Sequence, residues 1–150
     1  MDETANLKIT FARTGSSPLP VWFEVRVDDQ VFFAEELTEC KTHTVEINVP
    51  DSESVHNVQF TLAGKTYKHT KLDKNNEIIE DALVSIEQIL LEDIDITVLA
   101  ESTSVYRHWC NKPNPTDADC VELQSLCMGC NGDIKFQFET PAFIWLLENL

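Results

Sequence analysis

The segment Val21-Trp22-Phe23-Glu24-Val25-Arg26-Val27, the polar step Asp28-Asp29-Gln30 and the run Val31-Phe32-Phe33 directly after it decide the fold. Odd positions from 21 to 27 are apolar, the period of an extended strand that buries one face and gives the other to solvent. Two such runs joined by a short polar turn read as a β-hairpin. Trp22 falls opposite the face shared by Val21 and Phe23, so its ring is expected on the outer side of the sheet.

The same alternation recurs on both sides of this hairpin. Leu7-Lys8-Ile9-Thr10-Phe11 precedes it, and Val45-Glu46-Ile47-Asn48-Val49 and Val58-Gln59-Phe60-Thr61-Leu62 follow, with later runs at Thr66 to Leu72, Ile78-Ile79, Ile94 to Val98 and Ile134 to Phe138. About nine or ten short strands without a long helical stripe argue against βαβ units. They predict an all-β chain: one antiparallel β-sandwich of jelly-roll type over residues 1–150. Asp81 to Leu91 is ambiguous, because Leu83, Ile86, Ile89 and Leu90 also satisfy a helical spacing; its β-branched residues favour a strand. Pro141 to Leu150 is a dense apolar run, read either as a last strand or as a short helix with Pro141 at its first turn. Between Trp109 and Asn131 the alternation stops, and a loop excursion over about 107–132 holds four of the five cysteines.

Charge narrows the function. The chain carries 11 basic and 26 acidic side chains, a formal −15, and 26 minus 11 of one sign repels phosphate backbones and anionic lipid. We therefore expect neither nucleic acid nor a membrane as partner. A hydrophobic fraction of 43% is too high for a disordered acidic tail, so a core is expected. No run approaches the length of a bilayer span, and Met1-Asp2-Glu3-Thr4 does not begin a signal peptide. Acid concentrates late: residues 1–76 hold 8 basic and 12 acidic groups, residues 77–150 hold 3 and 14.

Several constellations could carry chemistry. Cys110, Cys120, Cys127 and Cys130 lie within twenty-one residues, and the gap of two in Cys127-Met128-Gly129-Cys130 lets two thiolates reach one zinc ion from a tight turn. The wider gap from Cys110 to Cys120 leaves disulfides and unbridged thiols equally open. Cys40 stands alone and reads as a buried thiol. Asp93 and Asp95 share one side of a strand, where two carboxylates could hold calcium; a solvated face is the plainer reading. Asp73 to Asp81 begins like a calcium loop but lacks its glycine and closing glutamate, so a turn between strands is preferred. Trp22, Tyr106 and Trp109 are candidate aromatic platforms for a sugar, each weighed against packing beneath a loop. His43, His56 and His69 have no ligand spacing. No G-x-S-x-G, H-E-x-x-H or glycine-rich phosphate loop is present, no carboxylate pair stands out, and we expect no enzyme.

Val21 to Val31, followed by Thr42-His43-Thr44-Val45-Glu46-Ile47, resembles the front half of small calcium-dependent, xylan-binding carbohydrate-binding modules. Ala82-Leu83-Val84-Ser85-Ile86-Glu87-Gln88-Ile89 is similar to that family's late strand, and the resemblance implies a calcium-holding role for Glu87. The chain as a whole, through Gly64-Lys65, Met128-Gly129-Cys130-Asn131-Gly132 and Ile144 to Leu150, also resembles uncharacterised proteins of T4-like marine cyanobacterial phages. That implies a virion or host-cytoplasm location. Together these give the expectation of a non-enzymatic, phage-associated binding protein that recognises a glycan or a virion component with calcium assistance. Two alternatives remain at this stage. One is a structural virion component, a capsid decoration or tail part, whose C-terminal apolar tail docks on a neighbour or a second copy. The other is an acidic protein that engages a basic host protein.

Overall fold

A computed structural model describes residues 3–109, 116 and 120–150. Strand β1 (Thr4–Thr14) runs antiparallel to β4 (Thr42–Pro50) on one side and to β8 (Leu83–Leu91) on the other. β8 also pairs with β12 (Cys127–Met128) and with the short β9 (Ile94–Asp95), completing a five-stranded sheet. The second sheet has six strands in the order β11 (Val121–Leu123), β10 (Val105–His108), β13 (Gly132–Thr140), β5 (Ser54–Ala63), β2 (Val21–Val27), β3 (Gln30–Leu37). A small hairpin, β6 (Lys71–Leu72) with β7 (Ile78–Glu80), stands apart from both.

The alternation read from the sequence packs the two sheets face to face. Leu7, Ile9 and Phe11 of β1 and Ile47 and Val49 of β4 point inward against Phe23 and Val25 of β2, Phe60 of β5 and Phe136 and Phe138 of β13. Phe11 and Phe23 meet across the interface with ring centroids 4.6 Å apart. The chain is an antiparallel β-sandwich, as the periodicity predicts, and it passes between the two layers after β1, β3, β4, β5, β9, β11 and β12. The expected hairpin forms between β2 and β3, with Asp28 and Asp29 both at positive φ (51° and 65°) in its turn. Aspartate tolerates that region better than most residues, and the turn's twist suits the strands it joins.

The ambiguous stretch is β8, and its ambiguity has a physical cause. Val84 and Ile86 face the core, and so do Ile89 and Leu91, although a strict period of two would send one of these pairs outward. A β-bulge resolves the conflict: Thr10 pairs with Gln88 and Phe11 with Ile86, leaving Glu87 unpaired and exposed between them. Two other readings change, and one left open between strand and helix is resolved. Ile94 to Val98 is a two-residue strand that passes into helix α1 (Thr97–Thr103), with Asp95 accepting from both the amide and the hydroxyl of Thr97. Thr66 to Leu72 is a single 3-10 turn (Tyr67–His69) followed by β6. The C-terminal run is helix α2 (Ala142–Asn149) with Pro141 at its N-cap. Trp145 turns into the core against Phe138. Among the described residues no helix is long and apolar enough to cross a membrane.

Candidate functional site

The even positions of β2 and the odd positions of β5 and β13 form the outer face of the six-stranded sheet, and nearly all are polar. Register aligns them in rows: Arg26 lies beside Gln59 and Gln59 beside Lys135, and the next row is Glu24, Thr61 and Asp133. Their side chains hold one another. Thr61 Oγ1 donates to Asp133 Oδ1 at 2.7 Å, Gln59 Nε2 reaches the same oxygen at 3.3 Å, and Gln137 Nε2 donates to Asn57 Oδ1 at 2.7 Å. At the near edge Trp22 Nε1 donates to Glu24 Oε1 at 2.9 Å, and Arg26 Nε donates to Glu24 Oε2 at 3.0 Å. The Trp22 bond, with help from Arg26, outweighs burial and holds the Glu24 carboxyl below its ordinary pKa.

Over this face lies a cleft of about 760 Å³. Its floor is Asn57, Gln59, Lys135 and Gln137, one wall is Leu99 and Thr103 of α1 with Trp145 and Asn149 of α2, and the other is Arg26 with the Asp28-Asp29 turn. Fixed amides and charges of both signs, interleaved with a few apolar walls, suit a ligand rich in hydroxyl groups.

One arrangement looks catalytic and is not. Asp28 Oδ2, His56 Nδ1 (2.6 Å), His56 Nε2 and Thr140 Oγ1 (3.0 Å) run in the order of a hydroxyl–imidazole–carboxylate relay. His56 and Thr140 are buried, and the Thr140 hydroxyl donates to the Ser52 carbonyl, so its proton is committed and no substrate reaches it. The chain instead ties the β2–β3 turn and the β4–β5 loop to the end of β13. Neither His56 nor the equally buried His69 could be distinguished from a surface histidine by local sequence.

The aromatic candidates part company. Trp22 is half-buried on the outer face, in the direction the alternation assigns. Tyr106 is buried at 3% exposure: its hydroxyl donates to the Cys130 carbonyl and accepts the Cys130 amide at 3.0 Å, so it locks the cysteine loop rather than offering a sugar platform. Trp109 is half-buried, with its amide on the Asn131 carbonyl at 3.2 Å.

The metal candidates are scattered. Cys110 lies outside the described residues; Cys120 and Cys127 carry free thiols, and Cys127 sits exposed on the edge strand β12. Cys130 is fixed through its backbone by Tyr106. Cys40, read as buried, is exposed, with its Sγ 2.9 Å from the Gly15 carbonyl. Glu87 stands at the β8 bulge, Asp93 in the β8–β9 turn at φ 62°, and Asp95 on Thr97. The Thr97 hydroxyl, then its amide, lowers the Asp95 pKa against a slight burial effect. Among the described residues no three His, Cys, Asp or Glu side chains gather where they could hold a metal ion, so neither the zinc set nor the calcium set is assembled there.

No protein-family model and no curated protein matches the chain. Among solved structures, it is similar to a vCBM60 in complex with galactobiose, with a TM-score of 0.46 and 16% identity over 86% of this chain and 96% of that one. It is also similar to the SeMet form of vCBM60, described with circular permutation as an evolutionary link between two families of calcium-dependent carbohydrate binding modules. There the TM-score is 0.49 and the identity 17%, over 87% of this chain and 89% of that one.

Proposed function

We propose that this protein is a non-catalytic glycan-binding module whose cleft on the outer face of the six-stranded sheet receives an uncharged oligosaccharide. The observation that carries the reading is the floor itself: Asn57, Gln59, Lys135 and Gln137 present donors and acceptors in register, and the three amides are held by neighbouring side chains before any ligand arrives. Sugar hydroxyls exchange water for such groups at little net cost, and the half-buried Leu99 in the wall offers apolar surface to the C–H face of a ring. Arg26, Lys135, Asp28, Asp29 and Glu139 line the same cleft, so no single sign of charge dominates and an uncharged ligand fits best.

Galactobiose, the sugar bound by one of the similar structures, and xylo-oligosaccharides are the first probes, titrated calorimetrically with calcium and with EDTA. Binding that is lost in Gln59→Ala/Gln137→Ala supports the proposal. Binding unchanged in that variant, or absent for every neutral glycan in either buffer, refutes it. The EDTA arm decides whether calcium assists.

A second reading is favoured by α2, which leaves Phe143, Ile144 and Leu147 exposed on one helix while Trp145 and Leu146 are buried. This is a structural component that docks through that helix on another protein, and a shift in oligomeric state or particle association on Ile144→Asp/Leu147→Asp is its test.

A further inference from the structure

We infer that a second groove, at the opposite end of β2 from the sheet-face cleft, binds an acidic sugar residue such as a uronic acid. It has a volume of about 500 Å³ and shares no lining residue with the cleft. Pro18, Leu19 and the ring of Tyr67 form its apolar surface, and Lys68, Lys71 and Glu80 supply its charges. Tyr67 is 80% exposed, an unusual position for an aromatic side chain, and its ring packs on no other among the described residues.

The turn that presents Tyr67 is fixed from behind. Thr66 caps it, His69 Nδ1 accepts the Thr66 amide at 2.9 Å, and the other ring nitrogen of His69 donates to the Pro20 carbonyl at 2.7 Å. Thr70 Oγ1 donates to Asp81 at 2.8 Å, and Asp81 in turn pairs with the buried Lys65. The exposed ring is therefore held in place by a buried polar frame, the arrangement that lowers the ordering cost of stacking a ligand.

Charge identifies that ligand. Of the four lysines in residues 65–74, Lys68 and Lys71 line the groove against a single acid, Glu80, in a protein of net charge −15. The nearby acids are mostly engaged: Asp81 with Lys65 at 2.6 Å, Glu80 with Lys71 at 3.5 Å, and Asp73 with the amides of Asn75 and Glu77. Lys68, next to Tyr67 in the groove, forms no ion pair among the described residues. A pyranose laid on Tyr67 places a ring carboxylate within reach of Lys68, while Glu80 and Lys71 can address its hydroxyls.

The test is calorimetric titration of the folded chain with oligogalacturonate, using a neutral galacto-oligosaccharide of equal length and poly-glutamate as controls. Tyr67→Ala is expected to weaken oligogalacturonate binding by roughly tenfold and Tyr67→Phe to preserve it. Lys68→Gln is expected to weaken binding by roughly two- to fivefold at low salt, with the difference vanishing at high salt. Gln59→Ala/Gln137→Ala should leave this binding intact, which separates it from the neutral-glycan reading. None of the altered side chains belongs to the core, and unchanged melting curves verify the fold. Absence of oligogalacturonate binding, full binding by Tyr67→Ala, or equal binding of the neutral sugar or of poly-glutamate would each overturn the inference.

Discussion

Asp81→Asn tests the idea that a buried ion pair fastens the cysteine loop to the sandwich. Lys65 has a side chain only 1% exposed, and its ammonium donates to Asp81 Oδ1 at 2.6 Å and to the Gly129 carbonyl. The Lys65 backbone also exchanges two bonds with the Asn131 side chain, so both ends of the residue hold the segment that follows Met128. Asparagine can still accept from Thr70 and Ala82 at position 81, but it leaves the ammonium buried without a counter-charge. Breaking a buried pair in this way costs about 3–5 kcal/mol. With a urea slope of about 2 kcal/mol/M, the unfolding midpoint should fall by at least ~1.5 M. Lys65→Met should cost less, because Asp81 is 17% exposed and can recover water. Acidity probes the same pair. Burial alone would raise the Asp81 pKa, but the bonds from Lys65, Thr70 and the Ala82 amide outweigh it and hold the carboxyl below 3.8. A carboxylate depressed in the folded state contributes stability above its ordinary pKa, and that contribution is lost as pH falls through the folded value. Wild type should therefore lose more stability than Asp81→Asn below about pH 4. A midpoint shift under ~0.3 M for Asp81→Asn, or identical acid slopes in the two proteins, would refute the argument.

Three further outcomes follow from the packing. Gly132→Ala would place its Cβ 2.2 Å from the Arg107 carbonyl oxygen and 2.7 Å from His108 Cα, so β10 must part from β13; we expect a loss of about 1–3 kcal/mol or more, read as a lower melting temperature. Gly129→Ala, which meets only a Leu83 methyl at 3.1 Å, should cost less, and the reverse order would contradict the register given for β10 and β13. Tyr106→Phe removes the hydroxyl that bridges both backbone groups of Cys130 and should destabilise by about 1–2 kcal/mol while leaving glycan retention on a neutral polysaccharide column unchanged; lost retention would return Tyr106 to the binding site. Cys40 and Cys127 are exposed and should react with a thiol reagent in the folded protein, whereas protection of both until denaturant is added would contradict their placement.

The layers of the sandwich were legible because side-chain period is a local property. Strand β2 can be read from seven residues, and the direction of Trp22 with it. What escaped the local reading depends on a partner strand or a single side chain. β8 looks half-helical on paper because its phase slips at Glu87, and only the opposite strand, where Thr10 and Phe11 take Gln88 and Ile86, turns that slip into a bulge. Ile94 to Val98 alternates like a strand, yet Asp95 captures the Thr97 amide and hydroxyl and starts α1. Tyr106 stands at the edge of the loop excursion, and nothing near it in sequence reveals that its hydroxyl meets Cys130, twenty-four residues on.

The outer face of the six-stranded sheet has the same divided legibility. Glu24 and Arg26, Asn57 and Gln59, and Lys135 and Gln137 can each be assigned to an outer face from their own strands. That they lie on one face requires β13 to lie beside β5 and β5 beside β2, pairings that span up to eighty-six residues and that no local pattern specifies. The cysteines mislead for the complementary reason. Close spacing in sequence suggested convergence, but Cys127 belongs to an edge strand of the five-stranded sheet while Tyr106, on the other sheet, fixes the backbone at Cys130. A gap of two residues lets thiolates share a metal only when both side chains turn to one side of a knuckle. Here the intervening residues serve the core and the buried pair instead, with Met128 fully buried and the Gly129 carbonyl on Lys65, so the segment's polar groups are used to join the two layers.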